Sequence, residues 1–329
     1  MFAFVIAGFV MRFFVALVLV LGSAVALAQR PDRPSLPLNA YTLTGYHAVD
    51  QATALHLPAG VTFGSIGSVT ITPDNHLLVL NRGEVPFYEF ATDGTFIRSF
   101  GDKSLFRVAH GLRFGPSGEL WVTDIGNHVV YKMDTNGKVL MTLGTPGKAG
   151  DWDEASGQHM FNQPNETAID SHGNLYVVQG HTFGEPKVLK FDRNGKFIKQ
   201  WGKKGTGPGE FYAAHSIEID ANDVLYVADR ENMRIQRFDT DGKFLGEWKF
   251  SAMVCGLYLH KDGFMYLTSG FDGEWAKLDM KDGKLIGSLG SPGKDNGQFG
   301  EAHMLAVDAQ GNVYIGDVGN RRVQVYRRD

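Results

Sequence analysis

The stretch HSIEIDANDVLYVADRENMRIQRFDTDGKF, residues 215–244, decides the fold of this chain. Apolar and polar residues alternate in three short runs, and turns rich in Asp, Asn or Gly separate these runs. An alternation with a period of two is typical of strands that bury one face. Turn residues of these types tolerate the positive φ that tight hairpins require. The stretch therefore predicts consecutive antiparallel strands.

The pattern recurs in six copies with a period of about 40–55 residues. Residues 110–144 and 303–329 repeat it clearly, and three further copies fit it less tightly. This period is typical of four-stranded propeller blades, which bury both faces by stacking around an axis. We therefore predict an all-β fold, a six-bladed β-propeller over residues 41–329. The last copy stops at its third strand, so we expect residues 41–50 to supply the fourth and close the ring.

The N-terminus predicts a segment outside this fold. Residues 13–28 are apolar and end in Ala-Leu-Ala, a small-x-small pattern that predicts a cleaved signal peptide over residues 1–28. We therefore expect an exported protein, periplasmic or secreted. The alternative is an uncleaved membrane anchor, because the apolar stretch is long enough to span a bilayer. Residues 29–40 are rich in proline and predict a linker.

Bulk composition narrows the range of partners. A formal net charge of −4 argues against nucleic acid as a partner. The single cysteine excludes an internal disulfide, so an exported chain of this kind must depend on its apolar core. We expect a monomer that acts on a small molecule or a peptide, with no membrane contact beyond an uncleaved anchor.

Three histidines occupy the same register in alternate copies of the repeat. His110, His215 and His303 each lie ten residues before the apolar pair that opens the second strand. In a six-membered ring, alternate copies are a third of a circle apart, so these imidazoles should converge on the axis. The remaining copies carry other residue types at this register, namely Gly67, Asn165 and Cys255.

Three converging imidazoles predict a metal site. Neutral imidazole is a common zinc ligand, and three protein ligands with one open position form the usual catalytic zinc site. We therefore expect zinc at His110, His215 and His303. The alternative is a set of channel histidines that bond only to water or backbone.

Two arginines share a second register, five residues after the start of the second strand. Arg82 and Arg230 fall in opposite copies, near the rim that carries the histidines. A guanidinium there could hold a substrate carboxylate through two parallel hydrogen bonds. Salt bridges are the equal alternative, with Glu84 for the first arginine and with Asp229 or Glu231 for the second.

Two kinds of acidic residue have a defined place in the repeat. Glu166 follows the channel register, and it predicts either a partner of the metal site or a structural salt bridge. The aspartates that end three of the second strands are expected to cap turns within their blades; they are Asp124, Asp229 and Asp317.

The stretches GTGPGEFYAAHSIEIDANDVLYVADRENMRIQRFDTDGKF and EAHMLAVDAQGNVYIGDVGNRRVQVY resemble NHL repeats. From about residue 60 onward, the chain resembles the peptidyl-α-hydroxyglycine α-amidating lyase family, most specifically in LNRGEV, VAHGLRFGPSGELWVTD, AAHSIEIDANDVLYVADRENMRIQRF and EAHMLAVDAQGNVYIGD. The resemblance implies a six-bladed propeller that splits an α-hydroxyglycine-extended peptide into its amide and glyoxylate. It implies zinc on the three histidines and active-site roles for Arg82 and Arg230.

The chain departs from the family at two positions. The active-site tyrosine of the family falls at His181, which we expect to act as base or to orient the substrate hydroxyl. An aspartate ligand of a structural calcium falls at Met304, which leaves calcium open. We predict an exported zinc-dependent lyase. The alternatives are a non-catalytic NHL propeller that binds a protein or envelope ligand, and a different metal-dependent lyase or hydrolase.

Overall fold

The computed structural model describes residues 36–38 and 41–329 of the chain. Over these ranges six antiparallel sheets stand in a ring, and the innermost strand of each sheet lies beside the innermost strands of its two neighbours. This arrangement confirms the all-β, six-bladed propeller. Each sheet follows one copy of the repeat, because each copy carries its own alternating runs and turns.

The first elements are strand β1 (Tyr46–Ala48) and helix α1 (Gln51–Ala54). The strands of each blade are named from the axis outward. Blade 1 contains β2 (Ser65–Ile71), β3 (Leu77–Arg82), β4 (Phe87–Phe90) and β5 (Phe96–Phe100). Blade 2 contains β6 (Ala109–Phe114), β7 (Leu120–Asp124), β8 (Val129–Met133) and β9 (Val139–Leu143). A hairpin of β10 (Trp152–Asp153) and β11 (Gln158–His159) then precedes blade 3, which contains β12 (Pro164–Ile169), β13 (Leu175–Gln179), β14 (Lys187–Phe191) and β15 (Phe197–Trp201).

The second half of the ring has the same order. Blade 4 contains β16 (Ala214–Ile219), β17 (Leu225–Asp229), β18 (Arg234–Phe238) and β19 (Phe244–Lys249). Blade 5 contains β20 (Leu257–Leu259), β21 (Phe264–Thr268), β22 (Glu274–Asp279) and β23 (Leu285–Pro292), with β24 (Gln298–Phe299) added in parallel. Blade 6 contains β25 (Ala302–Val307), β26 (Val313–Asp317) and β27 (Arg322–Arg328), and β1 is its outer strand. Short 3-10 turns cover Lys103–Leu105 and Arg230–Asn232.

The N-terminal strand closes the ring, as the incomplete last copy predicts. Strand β1 pairs antiparallel with β27, and Tyr46 lies opposite Arg328. The backbone amide of Asp329 also donates to the carbonyl oxygen of Gly45 at 3.0 Å. The start and the end of the propeller are therefore joined by hydrogen bonds, in a chain whose single cysteine allows no internal disulfide.

The apolar core lies between the blades. Buried aliphatic and aromatic side chains gather in clusters, each shared by two neighbouring blades; Leu80 and Phe87 of blade 1, for example, belong to one cluster with Leu112 and Val122 of blade 2. Full burial of one such side chain contributes about 1.5–3 kcal/mol. The blades therefore hold one another in the ring through the faces that the sequence alternation provides.

Buried aspartates at the ends of the second strands hold the turns of three blades. The Asp229 carboxylate accepts the backbone N–H of Tyr212 at 2.8 Å and the Nε–H of Arg234 at 2.8 Å. Asp124 accepts the backbone N–H of Arg107 and Gly126 in the same way. These contacts confirm the expected capping role, and they also tie the loop that enters each blade to its second strand.

The signal peptide expected over residues 1–28 lies outside the described residues, and so does most of the expected linker. Residues 36–38 pack on blades 4 and 5. The backbone N–H of Leu36 donates to Asp272, and that of Leu38 donates to Glu274. Within the part of the chain that the structure describes, no helix is long and apolar enough to cross a membrane.

We expect the substitution Asp229→Ala to lower the free energy of unfolding by about 3 kcal/mol, because it leaves the backbone N–H of Tyr212 and the buried Nε–H of Arg234 without their acceptor. Glu247 still pairs with the other end of the guanidinium. Urea denaturation measures the difference. Glu84→Ala is the matched control, since the Glu84 side chain is 87% exposed and forms a surface ion pair with Lys103 that should contribute less than about 1 kcal/mol. Equal losses in both variants would contradict the capping role.

Candidate metal centre

The histidines of the repeat lie on the innermost strands of blades 2, 4 and 6. His110, His215 and His303 are each the second residue of such a strand, in β6, β16 and β25. A bulge interrupts the pairing with the second strand at this point in all three blades. Bulges re-aim side chains. Here the three ring centroids lie 4.7–5.1 Å from one another, so the imidazoles converge as the register predicts.

The three blades without a histidine at the channel register fix the orientation of these rings. The Nδ1 of His110 lies 2.8 Å from the carbonyl oxygen of Asn165, and the Nδ1 of His303 lies 2.8 Å from that of Gly67. The Nδ1 of His215 lies 2.9 Å from the carbonyl oxygen of Cys255. A carbonyl oxygen can only accept, so each Nδ1 carries the proton and each Nε2 presents its lone pair.

The Nε2 atoms fit a metal ion. Among the described residues, those of His110 and His215 are buried and have no hydrogen-bond partner. Burial lowers the pKa of all three imidazoles well below the usual range, and nearby histidines or arginines lower it further. The rings are therefore neutral, which is the form that binds metals. A buried polar atom without a partner is costly, and a bound cation would remove that cost.

His181 joins the cluster from the loop between β13 and β14. Its ring centroid lies 4.8 Å from that of His110 and 5.1 Å from that of His215. One nitrogen from each of the four rings lies within 4.8 Å of the others. The structure therefore brings the residue at the family's tyrosine position to the three channel histidines.

The two register arginines approach the same cluster. Both guanidiniums lower the pKa of His181 and of His303, after the larger effect of burial. Arg82 donates through Nε to the carbonyl oxygen of Ala109 at 2.6 Å. Arg230 is buried and pairs with Glu231 at 2.7 Å. The structure therefore places both arginines within electrostatic reach of the imidazole cluster.

The salt-bridge alternative applies to one arginine only. Glu231 is the partner of Arg230, whereas Asp229 pairs with Arg234. Glu84 pairs with Lys103 and not with Arg82.

The structure adds Glu301, which the repeat analysis did not single out. It is 4% exposed, and its carboxylate, the Cys255 thiol and one His303 nitrogen lie within 4.8 Å of one another. Burial raises the pKa of Glu301, against the opposing effect of Arg230 and Arg82. A signal was present in the sequence, because Glu301 stands two residues before its histidine, where the other two histidine copies carry Val108 and Ala213.

Glu166 follows the salt-bridge alternative. Its carboxylate lies 3.6 Å from the Nε of Arg113, whose guanidinium also contacts Glu218 at 2.6 Å and donates to the carbonyl oxygen of Leu257 at 2.8 Å. Arg113 thus reaches from blade 2 to blades 3, 4 and 5. Glu166 therefore helps to hold the guanidinium of Arg113 inside the ring.

The residues do not fit the calcium that the family resemblance leaves open. Calcium prefers oxygen ligands. The position of the aspartate ligand is occupied by Met304, a buried thioether that offers a poor ligand to this ion. We therefore derive no role for calcium.

The chain is similar to known propeller proteins in sequence and in structure. The sequence profile of a family described as a 6-bladed beta-propeller matches residues 166–314. Human NHL repeat-containing protein 3 is 30% identical over 72% of this chain and 71% of its own length. A gluconolactonase of Xanthomonas campestris superposes with a TM-score of 0.60 over 92% of this chain and 99% of its own, at 14% identity, which shows a shared fold alone.

Other relatives have names that refer to peptide amidation. A probable peptidyl-alpha-hydroxyglycine alpha-amidating lyase of Caenorhabditis elegans is 36% identical over 65% of this chain and 55% of its own. The rat peptidylglycine alpha-amidating monooxygenase is 29% identical over 79% of this chain. This chain spans 30% of the length of the rat protein.

The arrangement of the three histidines predicts that the metal content of the protein depends on each of them. Protein purified and supplied with zinc should hold close to one ion per chain by elemental mass spectrometry. His215→Ala should hold much less, because one of three fixed lone pairs is lost. His159→Ala is the control, since His159 is about half-exposed and lies on the β10–β11 hairpin. Equal metal content in wild type and His215→Ala would contradict the site.

Glu166 predicts a pH dependence of stability. Burial raises the pKa of Glu166 to about 7, against the opposing effect of Arg113. The folded chain therefore keeps a proton that the unfolded chain releases near its usual pKa of about 4.3. The stabilisation from this group is complete below that value and is lost as pH rises through 7.

We therefore expect the free energy of unfolding of Glu166→Gln, minus that of wild type, to rise by about 2–3 kcal/mol between pH 4.5 and 8. Urea denaturation across this range gives the difference. Glu84→Gln, at an exposed position, should show no comparable trend. A flat difference for Glu166→Gln would show that folding does not raise the pKa of this carboxyl.

Proposed function

The chain belongs to the NHL-repeat family of six-bladed β-propellers, and we propose that it is a zinc-dependent lyase that cleaves an α-hydroxyglycine-type carbinolamide. The observation that carries this proposal is the cluster of three neutral imidazoles with oriented lone pairs beside two arginines. Relatives named as lyases support it, at 26–36% identity.

The proposed reaction is an elimination without net redox change. In the substrate, one carbon carries a hydroxyl, a carboxylate and the nitrogen of a peptide amide. The O–H bond and the carbon–nitrogen bond break, and a carbon–oxygen double bond forms. The hydroxyl proton leaves, and the amide nitrogen gains a proton. The products are a primary amide and glyoxylate.

His110, His215 and His303 would hold the metal. When bound, zinc supplies Lewis acidity toward a substrate oxygen. Their Nδ1–H bonds to the next blade keep these rings in one tautomer and one orientation. This fixed arrangement is favourable for catalysis, because little reorganisation is needed during the reaction.

The other residues of the rim would bind and orient the substrate. Arg82 and Arg230 would hold its carboxylate, since guanidinium groups match carboxylates in geometry and charge. His181 would accept the hydroxyl proton or orient the hydroxyl, because it is the imidazole of the cluster that comes from a loop. The strongly apolar residues 13–28 support a further proposal, that the enzyme is exported and works outside the cytoplasm.

Glyoxylate release from a peptide that ends in α-hydroxyglycine tests the proposed function. Zinc-loaded wild type should release glyoxylate and the peptide amide in equal amounts, and His215→Ala should release none above the uncatalysed rate. Arg82→Ala should lower kcat/KM about 10- to 100-fold, because a charge-assisted hydrogen bond contributes about 1.5–3 kcal/mol. Arg98→Ala is the control, since Arg98 lies on an outer strand and pairs with Glu89.

A second substrate separates carboxylate binding from other effects of Arg82. The methyl ester of the same peptide carries no carboxylate, so it should react equally poorly with wild type and Arg82→Ala. A loss of activity toward the ester as large as the loss toward the acid would exclude the carboxylate role. A zinc-loaded wild type that releases no glyoxylate would overturn the lyase, in favour of another metal enzyme or a binding propeller.

A further inference from the structure

His181 differs from the other three imidazoles in its place in the fold. The others are on innermost strands, whereas His181 lies on the loop between β13 and β14. One ring nitrogen of His181 nevertheless lies within 4.8 Å of a ring nitrogen of each of the other three histidines. In a tetrahedral zinc site with metal–nitrogen bonds of about 2.0–2.1 Å, neighbouring nitrogens lie about 3.4 Å apart. Movements of about 1 Å would therefore suffice to form a four-imidazole site.

The hydrogen bond of His181 leaves its tautomer free. The Nδ1 of this ring lies 2.9 Å from the Oγ1 of Thr182. A hydroxyl can donate or accept, whereas the carbonyl oxygens that face the other three rings can only accept. The Nε2 of His181 can therefore present a lone pair to a metal or carry a proton, and the hydrogen bond to Thr182 is kept in both cases.

The loop that carries His181 is a short segment between two glycines. Gly180 and Gly184, with φ of 94° and 87°, stand on either side of it. One side chain holds the segment between them, because the Oε1 of Gln163 accepts the backbone N–H of Thr182 and of Phe183, each at 2.8 Å. The Phe183 side chain is 71% exposed. Few buried contacts therefore oppose a displacement of this segment.

We propose that His181 is a fourth ligand of the metal in the resting protein and that the substrate displaces it. This inference rests on the proposed function. A zinc ion with four protein ligands is closed, and a catalytic zinc ion needs one position for substrate or water. The loop ligand would occupy that position until a substrate oxygen replaces it. The three strand ligands stay in place, because bonds between blades hold their rings.

X-ray absorption of the zinc-loaded protein tests the proposal, because the scattering from imidazole rings counts the histidine ligands. We expect four imidazoles in wild type, three in His181→Ala and four in Phe183→Ala. The last variant is the matched control, since it changes an exposed residue of the same loop and removes no metal ligand. Saturating glyoxylate, the proposed product, should lower the count in wild type from four to three.

Metal affinity gives a second measurement. Competition with a chelator should show a zinc Kd at least tenfold higher for His181→Ala than for wild type, since loss of a mere partner of a ligand already costs about 10–100-fold. Phe183→Ala should match wild type. Three imidazoles in wild type without added glyoxylate, or an unchanged Kd for His181→Ala, would overturn the proposal. The wild-type measurement is decisive even if a variant fails to fold.

The outcomes separate this inference from the lyase. A protein that has three imidazoles and releases glyoxylate from the hydroxyglycine peptide overturns the fourth ligand and keeps the lyase. A protein that has four imidazoles and releases no glyoxylate keeps the fourth ligand and overturns the lyase.

Discussion

The candidate site depends on three hydrogen bonds that cross between blades. In each one, a channel histidine donates its Nδ1–H to the backbone carbonyl at the same register of the next blade: His110 to Asn165, His215 to Cys255 and His303 to Gly67. Each bond sets a tautomer and aims a lone pair at the axis. Because the donor and the acceptor belong to different blades, the geometry of the site exists only when the ring is closed. The pairing of β1 with β27 and the apolar clusters between blades therefore support the site as well as the fold.

The alternation of residue types around the channel limits how many imidazoles reach the axis. Six imidazoles at one register would crowd the axis, and the three intervening residues contribute their backbone carbonyls. Gly67 shows the steric side of this arrangement, because a Cβ there would lie 2.6 Å from the carbonyl oxygen of Ala109. That oxygen also accepts from Arg82. The glycine thus lets blade 1 approach blade 2 closely enough to bring the arginine to the imidazole cluster.

The sequence predicted those parts that the repeat itself encodes. The blade count, the closing strand, the convergence of three histidines and the side of the ring on which Arg82 and Arg230 lie all follow from register. Side-chain contacts between different copies could not be predicted from register. The carboxylate of Glu301 lies within 4.8 Å of the Cys255 thiol, and Arg113 pairs with Glu166 and Glu218, because the closed ring brings residues of separate copies together. His181 is assigned by resemblance alone, because the matching position carries no histidine in the other copies and register therefore does not single it out.

A metal ion and the two arginines would contribute differently to the binding of an anionic substrate. Arg82 and Arg230 bring two positive charges to the imidazole cluster, while Glu231 pairs with one of them and Glu301 lies within electrostatic reach of both. Guanidiniums that are partly neutralised in this way can align a carboxylate, but they attract it weakly. A divalent ion held by neutral imidazoles keeps its full charge, because no thiolate or carboxylate among those ligands offsets it. For an anionic substrate, the ion would therefore supply most of the attraction, and the arginines would decide how the carboxylate lies.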